Sequence, residues 1–225
     1  MFKGSFARQW LPSVVFAGLG LIFTVIYTFV FSGAQATVYL QIVLGIIGLF
    51  VFPVWGAIVK KPFAPALSII VGLLVFFGIY LGKASDMYSY IPHYDKVLHT
   101  NFGLVGAGMV YALLLRWHGD KLHPVGLIVV VILATLGVGA VWEFIEFYGG
   151  MLTGEDPQLV WGAVNEIISA GGERVINPIT DTIDDMLVTV MGSAVFIIIY
   201  LIDKAFGGKV FKKLFEEETP KINNK

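Results

Sequence analysis

Residues 124–147 read PVGLIVVVILATLGVGAVWEFIEF, and this stretch decides what kind of protein the chain forms. About 20 residues of helix, rising roughly 1.5 Å each, cross a hydrocarbon core about 30 Å thick. The segment is apolar for that length and then closes on two carboxylates, Glu143 and Glu146. It predicts a membrane-crossing helix whose far end carries ionisable groups. Working outward, comparable apolar runs occur at Leu11–Phe31, Val38–Val59, Phe63–Gly82, Lys96–Leu115 and Thr182–Ile202. The expectation is an all-α polytopic membrane protein, a bundle of six transmembrane helices. Composition agrees, with 225 residues, 57% of them hydrophobic and only 14% charged.

The charges orient the bundle. If the N-terminus is cytoplasmic, only Lys83, Lys96 and Arg174 of the 15 Lys and Arg fall in outside segments. That asymmetry is a positive-inside pattern, and an even helix count places both termini in the cytoplasm of a cell whose plasma (inner) membrane the chain crosses. Trp10, Trp55 and Trp117 then lie near the inner interface, and Tyr88, Tyr90, Tyr94, Trp142 and Tyr148 near the outer one. Ala34-Gln-Ala36 has the small-residue pattern of a signal-peptidase site, but the apolar run before it exceeds a signal h-region and reads as a span. Residues 1–203 are expected to form the membrane domain and 204–225 a cytoplasmic tail, basic and then acidic at Glu216–Glu218. Its lysines suit anionic membrane lipid rather than nucleic acid.

Helices one to three, within residues 1–83, hold no ionisable residue in their apolar runs and read as scaffold. Residues 84–203 carry the chemistry. Asp95 and His99 are four apart at the start of helix four, and Gly103 and Gly106 continue their side of the helix. Asp95 alone is explained as an N-cap favoured by the helix dipole; His99 is not. Glu143 and Glu146 lie about 60° apart at the end of helix five, above Gly139. Two such carboxylates do not both stay ionised in a low dielectric without a cation or water. Asp181, Asp184 and Asp185 open helix six, with Gly192 two turns beyond Asp185. Three acids exceed what the dipole of a first turn requires. The alternation of spans puts all three groups at the outer face.

Charges in apolar helices cost several kcal/mol unless paired, solvated or bound to a cation, so this cluster reads as functional. Asp95, His99, Glu143, Glu146, Asp181, Asp184 and Asp185 are the candidate metal ligands, and His99 and Glu143 the candidate catalytic groups. Oxygen donors with one imidazole suit a divalent ion such as Zn, Mn, Fe, Mg or Ca, and if five of the six carboxylates converge they suffice for two ions. Lys96 and Arg174 are the only cations expected nearby. The absence of cysteine excludes disulfides and thiolate chemistry. Neither a P-loop nor a Gly-rich strand-turn-helix unit is present, so no nucleotide cofactor is expected. In the outer loop, Leu159, Val160, Trp161, Val164, Ile167 and Ile168 outline an amphipathic stretch, either an interfacial helix or a lid over the polar site.

Tyr94-Asp-Lys-Val-Leu-His99, Trp142-Glu-Phe-Ile-Glu-Phe147 and Asp181-Thr-Ile-Asp-Asp-Met186 with Gly192 resemble the three signature blocks of the YjdF-like bacterial membrane proteins. More remotely, the Asp-Lys-x-x-His block resembles the VanZ-like family, linked to glycopeptide resistance. The resemblance covers helices four to six and implies a shared polar motif on Asp95, His99, Glu143, Glu146, Asp181 and Asp185. Three functions fit these residues. One is a metal-dependent hydrolase or modifier of lipid-linked or cell-envelope substrates. The others are a proton- or ion-coupled carrier, and a non-catalytic envelope-binding protein of the VanZ-like kind.

Overall fold

The computed structural model describes residues 2–30, 36–118, 121–153 and 178–215. The amphipathic stretch at 159–168, Arg174, the Ala34-Gln35 pair and the acidic run at 216–218 lie outside them. Every regular element among the described residues is helical: α1 Phe2–Val30, α2 Ala36–Leu49, α3 Val51–Ile58, α4 Pro65–Val75, a π-helical segment Phe76–Lys83, α5 Met87–Tyr90, α6 Tyr94–His118, α7 Pro124–Thr153, α8 Pro178–Ala205 and α9 Lys209–Phe215. Six stretches of these residues are long and apolar enough to cross a membrane: Ala7–Val30, Val38–Ile58, Pro65–Lys83, Tyr94–His118, Pro124–Gly149 and Asp181–Ala205. Each coincides with an expected span to within a few residues. Their outward surfaces are apolar, as lipid contact requires: Leu133, Val141, Phe144 and Ile145 on α7, for example, are all more than half exposed.

The chain divides into two compact units. The first comprises Met1–Tyr94, Tyr111–His123 and Ile199–Lys225; the second comprises Asp95–Val110 and Pro124–Ile198.

In the first unit the second span is not one continuous helix. It breaks at Phe50, and the cause is Pro53 three residues on. Proline has no N–H to offer the carbonyl of Leu49, one turn back. That carbonyl instead accepts a hydrogen bond from Ser13 Oγ of α1 at 2.6 Å. Gln9, fully buried, works beside it: its Nε2 donates to the Pro53 carbonyl at 3.4 Å and its Oε1 accepts from the Phe63 N–H at 2.8 Å. Two polar side chains of α1 thus satisfy backbone groups that hydrocarbon could not. Tyr80, in the π-helical segment, stacks on Phe23 with ring centroids 5.6 Å apart. It joins Tyr27, Val38, Ile42, Ile79 and Ala84 in the buried core. Arg116 donates to the carbonyls of Lys61 and Pro62 and lies 3.8 Å over the Phe63 ring. Asp203 accepts from the Val210 and Phe211 N–H groups, both at 3.0 Å, at the start of α9. Phe211 and Phe215 then pack on Tyr111.

Close backbone approach organises the second unit. A methyl group added at Gly103 would collide with the Thr189 carbonyl, and one at Gly192 with the Thr100 carbonyl. Alpha-6 and α8 therefore cross with glycine against backbone on both sides, the small-residue packing that membrane helices favour. Hydrogen bonds follow the same ladder: Thr189 Oγ1 donates to the His99 carbonyl at 3.4 Å, and Ser193 Oγ to the Gly103 carbonyl at 3.2 Å. Helix α7 approaches through Gly139, whose nearest side-chain neighbours are Phe102 and Thr189.

Candidate metal centre

The crossing of α6 and α8 at Gly103 and Gly192 fixes which residues meet one turn further along. Moving from Gly103 toward the start of α6 leads to His99 and then Asp95; moving from Gly192 along α8 leads to Thr189 and then Asp185. Alpha-6 begins at Tyr94, so Asp95 sits inside its first turn rather than capping it. Alpha-8 begins at Pro178, whose fixed φ suits a first helical position. From α7, Glu143 and Glu146 turn inward: Glu143 is 2% exposed, Glu146 and His99 each 8%, and Asp185 2%.

Two overlapping groups of potential ligands result. In one, a ligand atom from each of Asp95, His99 and Asp185 lies within 4.8 Å of the others; in the second, His99, Glu143 and Glu146 meet the same limit. The imidazole belongs to both. Its Nε2 lies 3.6 Å from Asp95 Oδ1 and 3.5 Å from Glu143 Oε1. Both separations exceed the usual N–H···O range of about 2.7–3.2 Å. They match the edge of a coordination polyhedron, because ligand atoms about 2.1 Å from a tetrahedral ion are roughly 3.4 Å apart. On the far side of Glu143, Thr182 Oγ1 of α8 donates to Oε2 at 3.0 Å, which fixes the orientation of the carboxylate. Outer hydrogen bonds of this kind position metal ligands.

Lys96 changes the electrostatics expected of the site. Its ammonium donates to Asp181 Oδ1 at 2.6 Å, Asp185 Oδ1 at 2.8 Å and Asp95 Oδ2 at 3.4 Å. The aspartate charge therefore has a resident counter-ion in Lys96, one of the two cations expected nearby. Among the described residues three aspartates gather around it, more carboxylate than one ammonium neutralises. An ionised carboxylate left unbalanced at this depth is costly, and a bound cation or proton removes that cost.

Six of the seven candidate ligands, Asp95, His99, Glu143, Glu146, Asp181 and Asp185, thus share one cluster within the second unit. Asp184 does not: it is exposed and belongs to neither ligand group. The reason is helical phase, since α8 turns Asp181 and Asp185 toward α6 and leaves Asp184 pointing away. His93, in the preceding loop, is likewise exposed and adopts a left-handed backbone with φ 60°. Two contributors escaped the sequence reading. Lys96 was noted only as a nearby cation, and Thr182 carried no signal beyond its place between two acids. The donor set at His99, Glu143 and Glu146, an imidazole and two buried carboxylates, fits a divalent ion of the Mn, Fe or Zn type.

The family model described as "Predicted membrane protein (DUF2238)" matches residues 13–205, which include all six spans in whole or in part. No curated protein and no solved structure matches the chain.

Proposed function

The chain belongs to this family of membrane proteins, and we propose that its polar cluster is an outward-facing divalent-cation site serving chemistry on lipid-linked or cell-envelope substrates. The observation that carries this reading is the convergence of His99, Glu143 and Glu146, three buried ligand-type side chains from two helices. Their ligand atoms lie within 4.8 Å of one another and offer the nitrogen and carboxylate oxygens that a divalent ion takes. The 3.5 Å separation of His99 Nε2 from Glu143 Oε1 suits a shared ion better than a direct hydrogen bond. Thr182 holds Glu143 in place as an outer partner. A bound divalent ion would supply Lewis-acid chemistry, including an activated water for hydrolysis. His99 serves as ligand or as general base, and the two glutamates as ligands. The outward orientation rests on the asymmetry of Lys and Arg, and the envelope setting on the outer position that this orientation gives the carboxylates.

Elemental analysis of protein purified in detergent tests the ion directly. Wild type is expected to retain a divalent metal through dialysis, and Glu143→Ala and Glu146→Ala to lose it. Metal-free wild type that stays metal-free on incubation with Zn²⁺, Mn²⁺ and Fe²⁺ would remove the proposal.

One observation favours a second reading. Asp95, Asp181 and Asp185 already hold a monovalent cation, the Lys96 ammonium, and carboxylates that do so suit the H⁺ or Na⁺ of an ion-coupled carrier. Proteoliposomes separate the two: a carrier gives H⁺ or Na⁺ flux that Glu146→Gln abolishes, and a metal site gives none.

A further inference from the structure

The two ligand groups share His99, and by ligand count each has the donors for an ion of its own. The chain's own geometry argues against double occupancy. Lys96 Nζ already lies 2.6 Å from Asp181, 2.8 Å from Asp185 and 3.4 Å from Asp95, within the contact range of a cation held by carboxylates. Asp185, 2% exposed, is the most deeply buried of these acids, and the ammonium is its partner. His99 cannot serve both halves at once, because among the described residues both of its close carboxylate approaches involve the same atom, Nε2. One imidazole nitrogen has one lone pair and ligates one ion.

We propose that Lys96 is a tethered cation filling the aspartate half of the cluster, so that Lys96 sets the metal stoichiometry at a single ion, bound by His99, Glu143 and Glu146. This deepens the cation-site reading and rests on it. The ammonium takes the place of a second ion electrostatically and sterically: its charge repels a divalent ion, and its Nζ occupies the point on which the three aspartates converge. Removing it uncovers three carboxylates, a donor set suited to a hard ion such as Mn²⁺. The half with the imidazole is unchanged by that substitution.

The test is equilibrium dialysis of the detergent-solubilised full chain against Mn²⁺, with bound metal counted per chain by elemental analysis. Wild type is expected to bind one Mn²⁺ and Lys96→Met two, a doubling of bound metal. A wild type that binds two, or a folded Lys96→Met that still binds one, overturns the inference and leaves the cation site standing. A wild type that binds none removes the parent reading instead. Since Lys96→Met strands Asp185 in a buried position and can fail to fold, Asp185→Asn supplies an independent arm. It thins the aspartate half without stranding a charge, and it is expected to bind one Mn²⁺ with affinity within about threefold of wild type. Loss of that ion in Asp185→Asn would place the metal among the aspartates and overturn the assignment.

Discussion

His99 Nε2 stands 3.6 Å from Asp95 and 3.5 Å from Glu143, so carboxylates of both α6 and α7 flank the same ring nitrogen. Glu143 in turn depends on Thr182, whose hydroxyl is its hydrogen-bond donor from α8. Thr182→Val keeps the shape and removes the donor; it is expected to weaken metal binding by roughly 10- to 100-fold, the usual cost of losing an outer partner. Competition with a chelating indicator measures this, and an unchanged affinity would mean that Thr182 does not position the ligand. At this scale the sequence was partly legible. His99, the glutamate pair and Asp185 stood out because ionisable residues are rare in apolar helices. The pairing of Lys96 with Asp181 and Asp185, 85 and 89 residues away, was not legible, because sequence separation says nothing about which helix faces meet. Helical spacing did not separate Asp184 from Asp185, although the family resemblance named only Asp181 and Asp185. Adjacent residues point about 100° apart on a helix, and only the docking of α8 against α6 decides which one is buried.

Helix positions depend on a few small residues. Gly103→Ala and Gly192→Ala each drive a methyl group into the backbone of the opposing helix, at Thr189 and Thr100. Each is expected to destabilise the protein by about 1–3 kcal/mol and to lower metal affinity, because α6, which carries His99, must part from α8, whose Thr182 holds Glu143. Gly126→Ala and Gly137→Ala are matched controls on α7, where an added methyl group meets nothing within 4 Å. Their unfolding temperature in detergent should stay at or slightly above that of wild type. Equal losses at all four sites would contradict the contact argument, since helix propensity alone favours alanine over glycine. A second element-level prediction concerns the break in the second span. Ser13→Ala leaves the Leu49 carbonyl without its 2.6 Å donor and is expected to cost roughly 0.6–1.7 kcal/mol. In a Pro53→Ala background, where a backbone N–H returns, the same change should cost much less, and thermal melts of the four-protein cycle read the difference. The six spans were legible from hydropathy because lipid demands continuous apolar surface. The break at Phe50 was not, since an apolar run reads the same whether its helix is whole or divided, and Pro53 alone did not reveal its partner in α1.

For the whole molecule, the distribution of Lys and Arg predicts which side each loop occupies. A chain without cysteine makes the check direct. A single cysteine at Tyr90, 73% exposed, should react with an impermeant maleimide in intact cells, and one at Val210, 64% exposed, only after permeabilisation. The reverse pattern would turn the polar cluster toward the cytoplasm and exclude an envelope substrate. Topology and metal are separate claims, and the second is central. X-ray absorption spectroscopy of the Zn²⁺-loaded protein examines it most directly. A single zinc environment of nitrogen and oxygen ligands at about 2.0–2.2 Å with imidazole scattering is expected. That imidazole signature should vanish in His99→Ala. A zinc shell lacking imidazole in the wild type, or one unaltered by His99→Ala, would contradict the account.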